Sequence, residues 1–216
     1  MMKKRIFVIL ICIAFFLCGC SPQFVSEVKA NEAGLTLINR TFDVEETEAK
    51  VTLEERPGLS YINGVHAHLG GEEPIYYYTV KVGALPDGNS YYYAEVDAKT
   101  GLAYRAEKST DIINLNDEQR KQAESIGMFD QFNPDMFTDE QEDYTQTVWD
   151  WISTHLEKDV PVMFVLPDAI GSDSVDFPKV RLGYFAMLDD GRFYNIEVCW
   201  PTMEVIFVQM RGYTLP

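Results

Sequence analysis

The chain is poor in basic residues, cysteine and histidine. Its 216 residues hold 18 Lys and Arg against 34 Asp and Glu, a formal net charge of −16. Affinity for nucleic acid rests on neutralising phosphates, so a chain of this charge is not expected to take DNA or RNA as a partner. Four cysteines are too few for a scaffold built on disulfides. Long apolar runs are scarce: Ile6–Leu17, twelve residues, is too short to span a bilayer as a helix. No Gly-x-Ser-x-Gly and no His-Glu-x-x-His occurs, so the nucleophile-elbow and zinc-protease signatures are both missing. Against these shortages stand 12 Tyr, 13 Phe and 3 Trp, enough apolar surface to exclude a disordered chain. The length suits one large domain or two small ones.

Lys3, Lys4 and Arg5 ahead of Ile6–Leu17 read as an export signal. The segment ends in Leu17-Cys18-Gly19-Cys20, which resembles a bacterial lipobox. The resemblance implies removal of residues 1–19 and lipidation of Cys20 as the first mature residue; ordinary secretory cleavage nearby is the alternative. Two or three acyl chains anchor a protein stably, at about 0.8 kcal/mol per buried methylene. Without the three signal cations the remainder carries 15 basic and 34 acidic residues, a formal −19, and anionic lipid repels it. Residues 20–25 therefore read as a tether that holds the rest off the extracytoplasmic face of the cell membrane. Cys12 and Cys18 leave with the signal, and Cys199, inside the apolar run Ile196–Trp200, reads as a buried, inert thiol.

Periodicity and turn chemistry divide the remainder in two. Ser26–Arg40 reads as an amphipathic helix with Ser26 as N-cap and Gly34 as a weak point. Lys50–Glu55 alternates as a half-buried strand, and Arg56–Glu73, with Pro57-Gly58, Asn63-Gly64 and Gly70-Gly71, as a loop or irregular hairpin. Ile75–Val82 and Tyr91–Val96 form a hairpin around Leu85–Asn89, and a turn at Asp97–Gly101 leads into a strand at Leu102–Ala106. Residues 109–137 are polar, hold a short helix at Asp117–Ile126, and read as a linker. Thr138–Gln141 has capping-box spacing at the head of a helix reaching Lys158. Val162–Leu166 reads as a strand, Pro167–Pro178 as a loop, and Val180–Leu188, Arg192–Trp200 and Glu204–Arg211 as three hairpin-linked strands. Asp87-Gly88 followed by Tyr91–Val96 parallels Asp190-Gly191 followed by Phe193–Val198, so 26–108 and 138–216 read as a duplication. The expected class is α+β, two tandem small units, each a helix packed on an antiparallel sheet.

Within the first unit, Tyr-Thr-Val-Lys-Val, Asp-Gly and then Val96-Asp97-Ala98-Lys99-Thr100-Gly101 resemble the PepSY domain. The resemblance covers about Ser26–Lys108. The second unit keeps the order of elements but has Cys199-Trp200-Pro201-Thr202 where the signature would stand. The resemblance implies a helix on a small antiparallel sheet and a role in binding other protein, as in propeptides that restrain secreted metallopeptidases; it brings no catalytic residues and no cofactor. The turn has a local reason of its own: Asp97 can accept its own turn's N–H groups, and Gly101 can take the left-handed conformation.

Candidate sites are few. His66 and His68, with Glu72 and Glu73 nearby, could present two imidazoles to a metal, but no third ligand is fixed, so surface histidines are expected and no metal. His155 falls on its helix's apolar stripe and reads as a core or boundary residue. Gly171–Asp176 lacks the glycine and distal glutamate of a calcium loop. Alternation sends Tyr77 to one sheet face with Tyr91 and Tyr93, opposite the Val/Ala side; these three either form a protein- or peptide-contact surface or are covered by the second unit. The function expected is that of a lipid-anchored, non-catalytic binding or accessory module of the envelope. An envelope hydrolase, or a peptidase inhibitor or regulator, is the alternative; a metal-dependent sensor using His66 and His68 is a third reading.

Overall fold

A computed structural model describes residues 23–56, 60–62, 65–67, 74–125, 133–172 and 179–211, with the backbone alone for 60–62, 65–67 and 172. Ser26 Oγ accepts the Lys29 amide at 3.2 Å and opens helix α1, Glu27–Phe42, which Asp43 closes in the left-handed region at φ 51°. Ala30, Gly34, Leu37, Ile38 and Thr41 recur at helical spacing and are buried. They face strands β1 (Lys50–Arg56), β4 (Ile75–Val82), β5 (Tyr92–Asp97) and β6 (Ala103–Lys108), while β2 (Ser60–Ile62) and β3 (Val65–Ala67) pair apart as a hairpin. Val80, Val82, Ala94 and Val96 complete this core.

Helix α2 (Asp117–Ser125) lies within the stretch between the halves. The second half then opens with a 3-10 turn at Pro134–Phe137, capped by Asn133, and helices α3 (Thr138–Asp143) and α4 (Thr145–Trp151), followed by a wide turn over Ile152–Leu156. Its strands are β7 (Val162–Ser172), β8 (Val180–Leu188), β9 (Phe193–Trp200) and β10 (Glu204–Arg211). The chain is thus α+β, with each half a helical layer on four antiparallel strands, the arrangement that the PepSY resemblance implies.

The halves share a single eight-stranded sheet, ordered β1-β4-β5-β6-β10-β9-β8-β7. Last strand meets last strand: β6 pairs antiparallel with β10, and Ala106 stands opposite Val208. Ala106 also pairs with Ala94, and Val208 with Ile196, so the opposed residues hold equivalent places in the two halves. A pseudo-two-fold axis therefore passes through the joint, as in an isologous dimer. Irregularities obey it too. Tyr104 is the extra residue between the pairs Glu95↔Arg105 and Val96↔Ala103, and Ile206 is the extra residue between Phe207↔Glu197 and Val205↔Val198.

The last turns correspond as well. Asp97 Oδ1 accepts the Lys99 and Thr100 amides at 2.9 and 2.6 Å, and the Gly101 amide reaches the Asp97 carbonyl with φ +77°. In the other half the Met203 amide reaches the Cys199 carbonyl at 2.6 Å, with Met203 itself at φ 57°. The second turn thus takes the left-handed form with neither an aspartate nor a glycine at the corresponding positions.

Local signals fail at two places. Thr138 adopts helical angles and makes no cap, because the preceding 3-10 turn takes over the helix start. Gln141 points into the sheet, where its amide donates to the Gly183 carbonyl at 2.6 Å and its own carbonyl accepts the Tyr184 hydroxyl. The expected loop after Leu166 is instead strand as far as Ser172, kept in register with β8 by an irregularity between Pro167 and Ile170.

Candidate functional site

Both helical layers cover the same sheet face; on the other, Ile113 and Leu115 pack over Cys199 and Ile206, and the part around β4 and β5 carries no helical layer. Alternation places Tyr77, Thr79 and Lys81 of β4 there, with Tyr93 and Glu95 of β5, as the strand period requires. The second half lengthens this face instead of covering it.

Glu95 is its centre and is only 3% exposed. One carboxylate oxygen accepts the Tyr93 hydroxyl at 3.0 Å and Arg105 Nη1 at 3.1 Å. The other accepts the Tyr104 hydroxyl at 2.5 Å and Arg56 Nη1 at 3.1 Å. A buried charge without partners would cost several kcal/mol; four donors, two of them cationic, offset that. Tyr104 reaches Glu95 because the bulge makes it the extra residue of its strand. Burial, reinforced by the Glu95 charge, raises the pKa of Tyr93 and Tyr104 well above 10.0, so both phenols stay protonated and donate.

From Glu95 an alternating run of charges crosses the joint. Arg105 Nη2 pairs with Glu107 at 2.8 Å, Glu107 lies 3.8 Å from Arg181 Nη2, and Arg181 Nη1 pairs with Glu197 at 2.9 Å. Glu197 holds in the second half the place that Glu95 holds in the first. Beside this run lies an open cleft of about 430 Å³, lined by Lys81, Tyr93, Arg105, Glu107 and Arg181 and walled by the 88–90 turn and by Ser109 and Thr110.

The structure separates the three expected tyrosines. Tyr93 lines the cleft. Tyr77 lies two strands further out than Arg105, its hydroxyl donating to Glu54 at 3.2 Å with Arg56 stacked 4.7 Å from its ring centre. Tyr91 precedes β5 at a bend, is 39% exposed, and lies where a Cβ on Gly83 would come within 2.2 Å of its ring. Glu95, Tyr104, Arg105 and Lys81 escaped notice as site residues. The available signal was a glutamate amid Tyr-Tyr-Ala and Val in a strand.

Other candidates are placed as follows. His155 sits at the boundary between the halves, Nε2 3.3 Å from Asp43 Oδ2 and its ring stacked on Trp151. Cys199 is buried with Ile113 and Ile206, and burial pushes its thiol up to about 11. Cys20, His68, Glu72, Glu73 and 173–178 lie outside the described residues, as does the side chain of His66, whose backbone pairs with Tyr61. Among the described residues no group of three His, Cys, Asp or Glu side chains is arranged to hold a metal ion, and no helix is long and apolar enough to cross a membrane.

No protein-family model and no curated protein sequence matches the chain. Among solved structures it is similar to the Bacillus megaterium YpeB C-terminal domain, with 10% identity, a TM-score of 0.40, and coverage of 87% of this chain. The match spans 63% of that chain, less than two thirds of its length.

Proposed function

We propose that this chain is a lipid-anchored protein of the bacterial envelope, held through Cys20 on the extracytoplasmic face of the cell membrane. Its sheet face opposite α1 binds a protein or peptide partner and carries out no catalysis. The observation that supports this is the saturation of Glu95. Both oxygens already accept two donors each, so the buried carboxylate of this face serves to hold Tyr93 and Arg105 rigid and is not a free base. A rigid tyrosine and fixed charges beside an open cleft suit recognition, because little side-chain entropy is lost when a partner docks. The anchor reading rests on the Lys3–Arg5, Ile6–Leu17 and Leu17–Cys20 order.

Two measurements on the full chain in cells test the parts separately. A photo-crosslinker at Asn89, in the cleft wall, is expected to give discrete protein or peptide adducts that the same group at Glu32 on α1 does not. Equal labelling from both positions, or none from Asn89, refutes the binding reading. Cys20→Ala is expected to abolish incorporation of labelled fatty acid and release the protein from membranes; retention of label refutes the anchor.

A further inference from the structure

We infer that the cleft recognises the carboxylate of an acidic residue in an extended peptide, with Lys81 as the pairing cation. This deepens the peptide-binding reading above and rests on it. The chain as a whole carries −16, yet three cations, Lys81, Arg105 and Arg181, line this cleft against one carboxylate, Glu107. Glu95 and Glu197 behind the wall bind Arg105 and Arg181, and Arg56 also binds Glu95. This group of four cations and three carboxylates therefore keeps one positive charge, opposite in sign to the whole molecule, and a concave site focuses such a field on a docking group.

The three cations differ in what they can offer. Arg105 gives one Nη to Glu95 and the other to Glu107, and Arg181 pairs with Glu197 and faces Glu107. Both are fixed parts of the wall. Lys81 is exposed, its Nζ lies 5.8 Å from the centre of the Tyr93 ring, and no carboxylate of the described residues pairs with it. Its charge thus stands at the cleft, beside a ring that Glu95 holds in place.

A single spare positive charge fits a monoanion. Glu107, facing the same space, disfavours a dense dianion such as phosphate by like-charge repulsion. Asn89, Ser90, Ser109 and Thr110 around the cleft carry hydroxyl and amide groups that can bond a peptide backbone.

The test passes a randomised pool of short peptides over the full chain in detergent micelles. Retained peptides are expected to favour Asp or Glu over Asn or Gln at one position about tenfold, the size of one modest charge contact. Lys81→Glu should abolish or invert that preference and Lys81→Arg should keep it, while inorganic phosphate at matching concentration should not displace the peptides. Peptides retained with no acidic preference, a preference unmoved by Lys81→Glu, or displacement by phosphate overturns this inference and leaves the binding reading standing. Retention of no peptide at all overturns both.

Discussion

Glu95 and Glu197 occupy equivalent places in the two halves, and Arg105, Glu107 and Arg181 connect them in an alternating run across the joint. The equivalence is geometric but not energetic. Glu95 is buried beneath two tyrosines and two arginines, whereas the Glu197 side chain is 29% exposed.

Removing one partner of a buried ion pair leaves its cations uncompensated, while a partly exposed pair such as Arg181–Glu197 contributes less. Glu95→Gln is therefore expected to cost about 3–5 kcal/mol of folding stability, and Glu197→Gln less than about 1 kcal/mol. Urea denaturation of both variants decides this; equal losses would contradict the burial argument.

Gly34 lies in the middle of α1, where alanine ordinarily stabilises a helix by about 0.5–1 kcal/mol. Here a Cβ would stand 2.5 Å from Val80 Cγ2. Overpacking should win, and Gly34→Ala is expected to destabilise by about 1–3 kcal/mol. A raised melting temperature would show that helix and sheet are not in such close contact.

Folding stability should fall in alkali. Tyr93 and Tyr104 have pKa values raised above the ordinary 10.0, chiefly by burial. Below pH 10 both states keep the phenol protons, so these groups add no pH dependence there. Above it the unfolded chain releases protons that the folded chain retains, and stability declines as pH rises toward the folded values. Phenolate absorbance from these two tyrosines should accordingly appear only together with unfolding; early ionisation of Tyr104 would remove the buried cluster.

The shared sheet predicts shared cooperativity. Trp149, Trp151 and Trp200 all lie in the second half, whereas Ile38 is buried in the first. Ile38→Ala should cost about 2–5 kcal/mol and shift the tryptophan-fluorescence midpoint with it. A tryptophan transition left in place would mean that the halves unfold independently.

The amino-acid order alone determined most of the strands and their faces, the far half of β7 excepted. Alternation in Ile75–Val82, the Asp-Gly turns and the Ser26 cap act within a few residues, so composition and spacing suffice to read them. It also pointed to two halves of like plan, because similar turns recur at corresponding points. Tertiary structure decided what those local rules cannot reach. Meeting of the last strands made one sheet of two units, the bulge at Tyr104 completed the cluster around Glu95, and the side-by-side halves left Tyr93 beside a cleft instead of an inter-unit core. Gln141 served the sheet and not its own helix for the same reason. Register between strands far apart in sequence is fixed by how the whole sheet closes its hydrogen bonds and buries its apolar side, and no window of neighbouring residues contains that information.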